Sequence, residues 1–298
     1  MARTFARLTC ALIFLASLSW PVSSFAGSNP AGAAALAGTP IRSVYVRAAK
    51  GANPATPQQV LVALHGMGGS GEVFGRDLIE QADQYGWLLV APTIDYGDWK
   101  DPTQVAKEDP KLISALVDYF DQLPQITGFA VRKRVLLLGH SRGAQLAHRF
   151  AEFRPDRVLA VAALSAGTYT LPLAAEAQGK GLSYPFGIKD LEKYGGRAFD
   201  PSRFEGVQFW LGVGSDDTNP NDIPRQWDAY EGNTRVQRAQ AFEKAARQLG
   251  ATTILKVFGG IKHELTPEMR SAACSFLGVA MVPIGVQGSP LSARPLPY

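Results

Sequence analysis

The chain has 298 residues, of which 46% are hydrophobic and 19% are charged, an ordinary globular composition with enough apolar side chains for one large core. The formal net charge is +4, from 30 basic and 26 acidic residues. So mild a balance argues against nucleic acid as a partner.

The N-terminus has the order of a secretory signal peptide. Two arginines precede an apolar run of 13 residues from Leu8 to Trp20, and Ser24 and Ala26 fit a small-x-small cleavage site. A helix that spans a bilayer needs about 20 apolar residues, so a permanent membrane anchor is not expected. The sequence predicts a signal peptide at residues 1–26 and an exported protein, periplasmic or secreted.

Strand-like runs and helical patterns alternate after a small-residue, flexible leader at residues 27–40. This alternation predicts an α/β protein with a mainly parallel central sheet and helices on both faces. Most strand candidates are continuous apolar runs, as expected for strands that are buried on both sides. The strand candidates are residues 41–46, 60–64, 87–92, 134–139, 158–164, 207–212 and 253–258, and the helix candidates are residues 71–85, 105–123, 142–153, 235–249 and 266–277.

The long connection at residues 168–205 interrupts this alternation. It has no convincing strand, and connections of this length are usually functional or lid-like, so we predict a small cap insertion over the active site. The main domain is expected to span residues 41–281. Residues 282–298, which contain four prolines, are predicted to be a C-terminal tail, either an ordered strap or disordered.

The turn between the fourth predicted strand and the helix after it carries Gly139-His140-Ser141-Arg142-Gly143. A Gly-x-Ser-x-Gly pattern in this setting is typical of a nucleophile elbow, in which small residues let strand and helix approach closely. Ser141 would then present its hydroxyl at a helix N-terminus, where orphan amides favour developing negative charge. The alternative is a glycine-bounded turn whose serine only caps the helix.

A serine nucleophile needs a base, and the chain has four histidines, His65, His140, His148 and His263. The first lies at a strand end before glycines, the second lies inside the serine turn, and the third lies within a helix. His263 follows the last predicted strand and precedes a helix, so it is the predicted base. The alternative is a loop histidine with no role.

The base needs a buried carboxylate that holds it in one tautomer, and this acid is expected between the serine and the histidine in the chain. Asp216 and Asp217 both follow the sixth predicted strand. Asp217 has the Gly-x-x-Asp spacing from Gly214 and is the predicted acid, with Asp216 as the alternative. Both aspartates could also belong to a simple turn.

An oxyanion hole needs two amides aimed at the tetrahedral intermediate. The predicted pair is the Arg142 amide, directly after the serine, and the Met67 amide in the glycine-rich loop at residues 65–71. Such a loop could instead hold phosphate, but it lacks the Gly-Lys-Ser/Thr of a P-loop. The Arg142 side chain is a cation at a helix N-terminus, so we expect it to pair with an acid or to receive an anionic substrate group.

The His-Gly loop, Ser elbow, Asp turn and His loop follow the order of the α/β hydrolases, which the chain resembles from about Ile41 to Leu277. Within that superfamily it resembles secreted polyhydroxyalkanoate-depolymerase-like and feruloyl-esterase-like esterases. The resemblance implies an α/β-hydrolase fold and an acyl-enzyme mechanism on small-molecule or polymeric carboxylic esters, a mechanism that requires no cofactor.

Two other functions remain open: a serine peptidase or amidase with the same triad, and a non-catalytic binding protein that kept the fold. The histidines are scattered without ligand spacing, so no metal site is predicted. Once the signal peptide is lost, Cys274 is the only cysteine, which excludes an internal disulfide. It is predicted to be a small buried hydrophobe on a helix.

Overall fold

A seven-stranded sheet forms the centre of the computed structural model, which describes Ala34 and residues 36–280. The strands are β1 (Ile41–Arg47), β2 (Gln59–Leu64), β3 (Trp87–Ile94), β4 (Val135–His140), β5 (Val158–Leu164), β6 (Gln208–Gly214) and β7 (Thr253–Phe258). Their order is β1-β3-β2-β4-β5-β6-β7, in which β1 runs antiparallel to β3 and the other neighbours are parallel. The predicted, mainly parallel sheet is confirmed.

Helices cover both faces of this sheet, as predicted. In chain order they are α1 (Gly71–Arg76), α2 (Ile79–Tyr85), α3 (Pro102–Asp121), α4 (Leu123–Thr127), α5 (Arg142–Phe153), α6 (Leu191–Gly195), α7 (Pro201–Glu205), α8 (Asp228–Glu231), α9 (Arg235–Gln248) and α10 (Pro267–Ala280). The predicted signal peptide, most of the leader and the C-terminal tail lie outside the described residues.

Alternate side chains of β1 to β6 enter two separate cores. In β2, Val60, Val62 and Leu64 belong to the core covered by α3, α5 and α9, whereas Leu61 and Ala63 belong to the core covered by α1, α2 and α10. Every residue of β2 is buried. This double burial is the reason that the strand is a continuous apolar run in the sequence.

Two differences from the predicted helices have a clear physical cause. The helix predicted at residues 71–85 is interrupted at Leu78, whose N–H bonds to the Gly75 carbonyl in a tight turn and whose side chain is fully buried. The hydrophobic pattern continues through this break, so periodicity does not reveal it. Helix α3 begins earlier than predicted because the Asp101 carboxylate accepts the Thr103 N–H at 2.8 Å and caps the helix.

The connection between β5 and β6 contains the short helices α6 and α7 and packs beside α5. The Arg149 guanidinium of α5 donates hydrogen bonds to the Thr168 and Thr170 hydroxyls, and the Tyr184 ring meets the Phe153 ring edge to face. The prediction that residues 168–205 form a cap over the active site stays a prediction.

The residues singled out by the sequence lie together at the edge of the sheet where the parallel strands end. Since β2, β4, β6 and β7 are parallel, the loops that follow them leave the sheet at the same edge. These loops carry His65, Ser141, Asp217 and His263 in turn. None of the helices in the described part of the chain has the length and apolar character needed to cross a membrane.

Candidate active site

Ser141 lies on a strained turn between β4 and α5. Its backbone has φ 55° and ψ −115°, a conformation that costs a non-glycine residue on the order of 1 to 3 kcal/mol. Its N–H is tied to the Leu164 carbonyl at the end of β5, 2.8 Å away. A Cβ on Gly139 would lie within 3.0 Å of the Gly143 backbone, and one on Gly143 within 3.0 Å of the Leu64 carbonyl. The turn therefore requires glycine on both sides of the serine.

Three side chains form a hydrogen-bonded chain across the ends of β4, β6 and β7. The Ser141 Oγ lies 2.9 Å from His263 Nε2, and His263 Nδ1 lies 2.7 Å from Asp217 Oδ2. An ionised carboxylate only accepts hydrogen bonds, so Nδ1 carries the proton and Nε2 is free to accept the serine hydroxyl. The His263 side chain is 30% exposed, whereas that of Asp217 is 1% exposed.

The structure separates the two candidate acids. Asp217 is buried against His263, while Asp216 is exposed and its carboxylate accepts the Ser215 hydroxyl at 2.7 Å. The Ser215 hydroxyl in turn accepts the Gly260 N–H at 2.8 Å, which links the loop after β6 to the loop that carries His263. Asp217 and not Asp216 thus lies where a carboxylate could orient the histidine.

The glycine-rich loop after β2 passes over the serine. A Cβ on Gly66 would lie 3.3 Å from the Ser141 Cβ. His65 is buried and fastens this loop: its Nε2 accepts the Ile94 N–H at 2.9 Å, so its Nδ1 is the donor to the Gly66 carbonyl at 2.6 Å. Burial lowers the pKa of His65, which keeps it in this neutral form. Met67, the residue after Gly66, is 46% exposed.

The Arg142 side chain pairs with an acid. Its guanidinium bonds to the Asp109 carboxylate of α3, and Arg149, two turns along α5, bonds to the same carboxylate at 2.9 Å. All three side chains are at most 1% exposed. The Arg142 guanidinium also lies over the Tyr96 ring, 4.8 Å from its centroid. The Arg142 backbone N–H is the first of α5, where amides lack an intrahelical acceptor.

His140 contacts the predicted base. Its ring stacks on the His263 ring with centroids 5.3 Å apart, and its Nε2 is buried without a hydrogen-bond partner among the described residues. Burial, and to a smaller extent the nearby His263, lowers the pKa of His140 to about 4. The neutral imidazole therefore presents a flat aromatic face to His263 at neutral pH.

Sequence reasoning missed Arg235, the first residue of α9. Its Nη1 donates to Asp217 Oδ1 at 2.6 Å, and both side chains are at most 2% exposed. A signal was present, because Arg235 follows the capping residue Thr234 and places a cation at a helix N-terminus, as Arg142 does. Asp109, buried inside α3, had no comparable signal.

The remaining candidates, His148 and Cys274, are buried in the protein interior. His148 lies inside α5, where its Nδ1 approaches the Ala144 carbonyl and its Nε2 accepts the Thr170 N–H, each at 3.0 Å. Cys274 is fully buried, as predicted, and burial raises its pKa to about 12. No group of three His, Cys, Asp or Glu side chains in the described ranges is arranged to hold a metal ion.

A profile of the alpha/beta hydrolase family matches residues 61–279. The chain belongs to the alpha/beta hydrolase family. The match spans β2 to α10 and includes the loops that carry all three residues of the hydrogen-bonded chain. No curated protein matches this member of the family.

Solved structures show the same fold. A poly(aspartic acid) hydrolase from Sphingomonas sp. KT-1 is similar with a TM-score of 0.60 and 21% identity, over 80% of this chain and 92% of the other. A poly(3-hydroxybutyrate) depolymerase from Bordetella parapertussis is similar with a TM-score of 0.59 and 21% identity, over 79% of this chain and 82% of the other. This alpha/beta hydrolase therefore shares its central fold with polymer-hydrolysing proteins.

Proposed function

We propose that this protein is a serine hydrolase that cleaves carboxylic esters, with Ser141 as nucleophile, His263 as base and Asp217 as orienting acid. The observation that supports this most directly is the hydrogen-bonded chain among these side chains, at 2.9 Å and 2.7 Å. A hydroxyl on a strained turn, a partly exposed imidazole and a buried carboxylate are the parts that acyl transfer requires.

The reaction begins when Ser141 Oγ attacks the ester carbonyl carbon while His263 Nε2 takes the hydroxyl proton. Asp217 stabilises the imidazolium that forms. Nε2 then gives its proton to the departing alcohol oxygen as the ester bond breaks, which leaves an acyl group on Ser141. His263 next deprotonates a water molecule, which attacks the acyl carbon. The bond from that carbon to Ser141 Oγ then breaks as Nε2 returns the proton to Oγ, which releases the carboxylic acid and restores the serine. All these protons pass through His263, so the mechanism itself requires no cofactor.

The negative charge on the tetrahedral intermediate would be stabilised by the backbone amides of Arg142 and Met67. The first belongs to the N-terminal turn of α5, and the second follows Gly66, which lies over Ser141. One such donor contributes about 2.7 to 4 kcal/mol to lowering the barrier. The Asp109 pairing holds the Arg142 side chain away from the substrate, so the contribution of this residue would come from its backbone alone.

Esters, small or polymeric, are the proposed substrates because an alcohol leaves a tetrahedral intermediate more readily than an amine does. The similar structures suggest which polymers to try first. Oligomers of 3-hydroxybutyrate carry ester bonds and oligomers of aspartate carry amide bonds, so the pair separates the ester hydrolase from the peptidase or amidase alternative. Release of acid from the first and not from the second supports the ester assignment.

Export is part of the proposal and rests on the sequence of residues 1–26. Expression of the full chain in a Gram-negative host, followed by N-terminal sequencing, tests it. Recovery outside the cytoplasm with Gly27 as the first residue is the expected result. An uncleaved cytoplasmic product would contradict export and leave the hydrolase proposal intact.

Turnover by residues 27–298 is the direct test of the reaction. A p-nitrophenyl butyrate and the p-nitroanilide of the same acid differ only in the leaving group. We expect turnover of the ester, its loss in Ser141→Ala, and full retention in Ser114→Ala, which changes an exposed serine of α3. Faster turnover of the anilide would favour the amidase. Failure of the folded protein to hydrolyse either compound would favour the binding protein.

A further inference from the structure

Arg235 occupies the side of the Asp217 carboxylate that His263 leaves open. Its Nη1 donates to Oδ1 at 2.6 Å, whereas His263 Nδ1 bonds to Oδ2 at 2.7 Å. The Arg235 Nη2 donates to the Asp222 carbonyl at 2.8 Å, so the same guanidinium holds both ends of residues 217–222. The hydrogen-bonded chain that starts at Ser141 thus continues into α9.

This position is an unfavourable one for an arginine. Arg235 is the first residue of α9, where a cation opposes the helix dipole, and its side chain is 2% exposed. Its Nε has no hydrogen-bond partner among the described residues, and burial lowers its pKa. A buried charge in this setting is weak evidence for a stabilising role. The role of Arg235 therefore follows from the groups that its guanidinium contacts.

The other titratable and charged groups around Arg235 and His263 come from three elements. Asp217 and Asp222 face Arg235 from the loop after β6, and Arg238 lies one turn along α9. His140 faces His263 from the turn after β4 and is neutral at pH 7, since its pKa is lowered to about 4. Among these groups and Arg235 itself, only the Arg235 guanidinium is a permanent cation in contact with the Asp217 carboxylate.

We propose that Arg235 is a positioning residue that acts on His263 through Asp217, by offsetting part of the negative charge of that carboxylate. The inference rests on the proposed function, in which His263 acts as a base. With part of the carboxylate charge offset, the imidazolium of His263 is stabilised less. Removal of the Arg235 cation should therefore make the imidazolium of His263 easier to form and leave less of the unprotonated base at low pH.

Titration of the His263 imidazole, followed by NMR in residues 27–298, tests this without relying on turnover. In Arg235→Gln the His263 pKa should rise by about one unit, because the carboxylate then acts on the imidazolium alone. Arg235→Met, which has an apolar side chain of similar length, is the second variant and should give the same rise. It replaces the glutamine variant if that variant does not fold. Arg235→Lys keeps a cation and should restore most of the wild-type value.

Arg238→Gln is the matched control. Arg238 is also buried on α9, but its guanidinium bonds to the Gly167 and Pro224 carbonyls and to Asp228 and not to the candidate acid. Its loss should leave the His263 pKa in place. An unchanged or lowered His263 pKa in both Arg235→Gln and Arg235→Met, or an equal rise in Arg238→Gln, would overturn the inference.

Ester turnover separates this inference from the function on which it rests. The acid limb of kcat/KM should move to higher pH in Arg235→Gln by the same amount as the His263 pKa. A wild-type protein that shows neither turnover nor a reactive Ser141 would contradict the proposed function. The titration would still decide the effect of Arg235 on His263.

Discussion

The Asp109 carboxylate lies buried against the guanidinium of Arg142 and joins α3 to the turn that carries Ser141. Arg149 shares the same carboxylate. Two buried guanidinium groups thus depend on one acid, and the residue after the serine is fixed from its side-chain end as well as through its backbone. The pair shows that the neighbourhood of Ser141 is held by charge as well as by packing.

Loss of Asp109 should therefore destabilise the protein strongly. Asp109→Ala leaves two guanidinium groups buried without their acid and should lower the free energy of unfolding by about 3 to 5 kcal/mol. Asp118→Ala removes an exposed aspartate from the same helix and should change it by less than about 0.5 kcal/mol. Urea denaturation of both variants measures the difference. Similar midpoints for the two would show that the buried pair contributes little.

The glycines around Ser141 should not tolerate a methyl group. A Cβ on Gly143 would lie within 3.0 Å of the Leu64 and His65 carbonyl oxygens, which belong to backbone that cannot easily move. Gly143→Ala should lower the free energy of unfolding by about 3 kcal/mol or more. Gly259→Ala is the control, since a Cβ there meets nothing within 4 Å and φ is not positive. Equal stability of the two variants would refute this close approach of β2 and α5.

His140 should make the protein less stable in acid. Its pKa is about 4 in the folded chain against 6.5 ordinarily, so between these values the unfolded chain binds a proton that the folded chain does not. Stability from this group is present above pH 6.5 and is lost as the pH falls toward 4. The loss amounts to about 1.4 kcal/mol for each unit of the difference.

His140→Phe keeps an aromatic ring beside His263 and removes the titrating group. Its free energy of unfolding should fall less steeply than that of the wild type between pH 6.5 and pH 4, as measured by urea denaturation at several pH values. The other buried histidines are present in both proteins, so their contributions cancel. Parallel curves for the two proteins would contradict the lowered pKa.

The two aspartates after β6 should differ sharply in their effect on turnover. Asp217→Asn should lower kcat by about 10⁴-fold, because an amide in that place favours the wrong tautomer of His263. Asp216→Asn changes an exposed residue that bonds to Ser215, so its kcat should stay close to the wild-type value. Steady-state kinetics on one ester compares them. A larger loss in Asp216→Asn would reassign the acid.

The sheet was predictable because burial on both faces leaves apolar runs with clear ends, such as Val60 to Leu64. The placement of Ser141, Asp217 and His263 on one edge followed from strand direction and from short spacings after each strand. The interruption at Leu78 was not predictable, because the hydrophobic pattern continues through it. The helix is interrupted by a single tight turn, in which the Leu78 N–H bonds to the Gly75 carbonyl.

The contacts of Arg235, His140 and Asp109 depend on side chains that approach across distant parts of the chain. Arg142 and Asp109 are 33 residues apart, and no local pattern pairs them. His140 stacks on His263 because β4 and β7 end at the same edge with two strands between them. Such pairings follow from the three-dimensional packing of the loops, which spacing along the chain does not specify.

Covalent labelling tests the central claim most directly. Residues 27–298 should react with a fluorophosphonate, and peptide mass mapping should find one adduct, on Ser141. His263→Ala should react far more slowly, since the base that activates the hydroxyl is gone. An adduct on another serine, or no adduct on the folded protein, would contradict the assignment of Ser141 as a nucleophile.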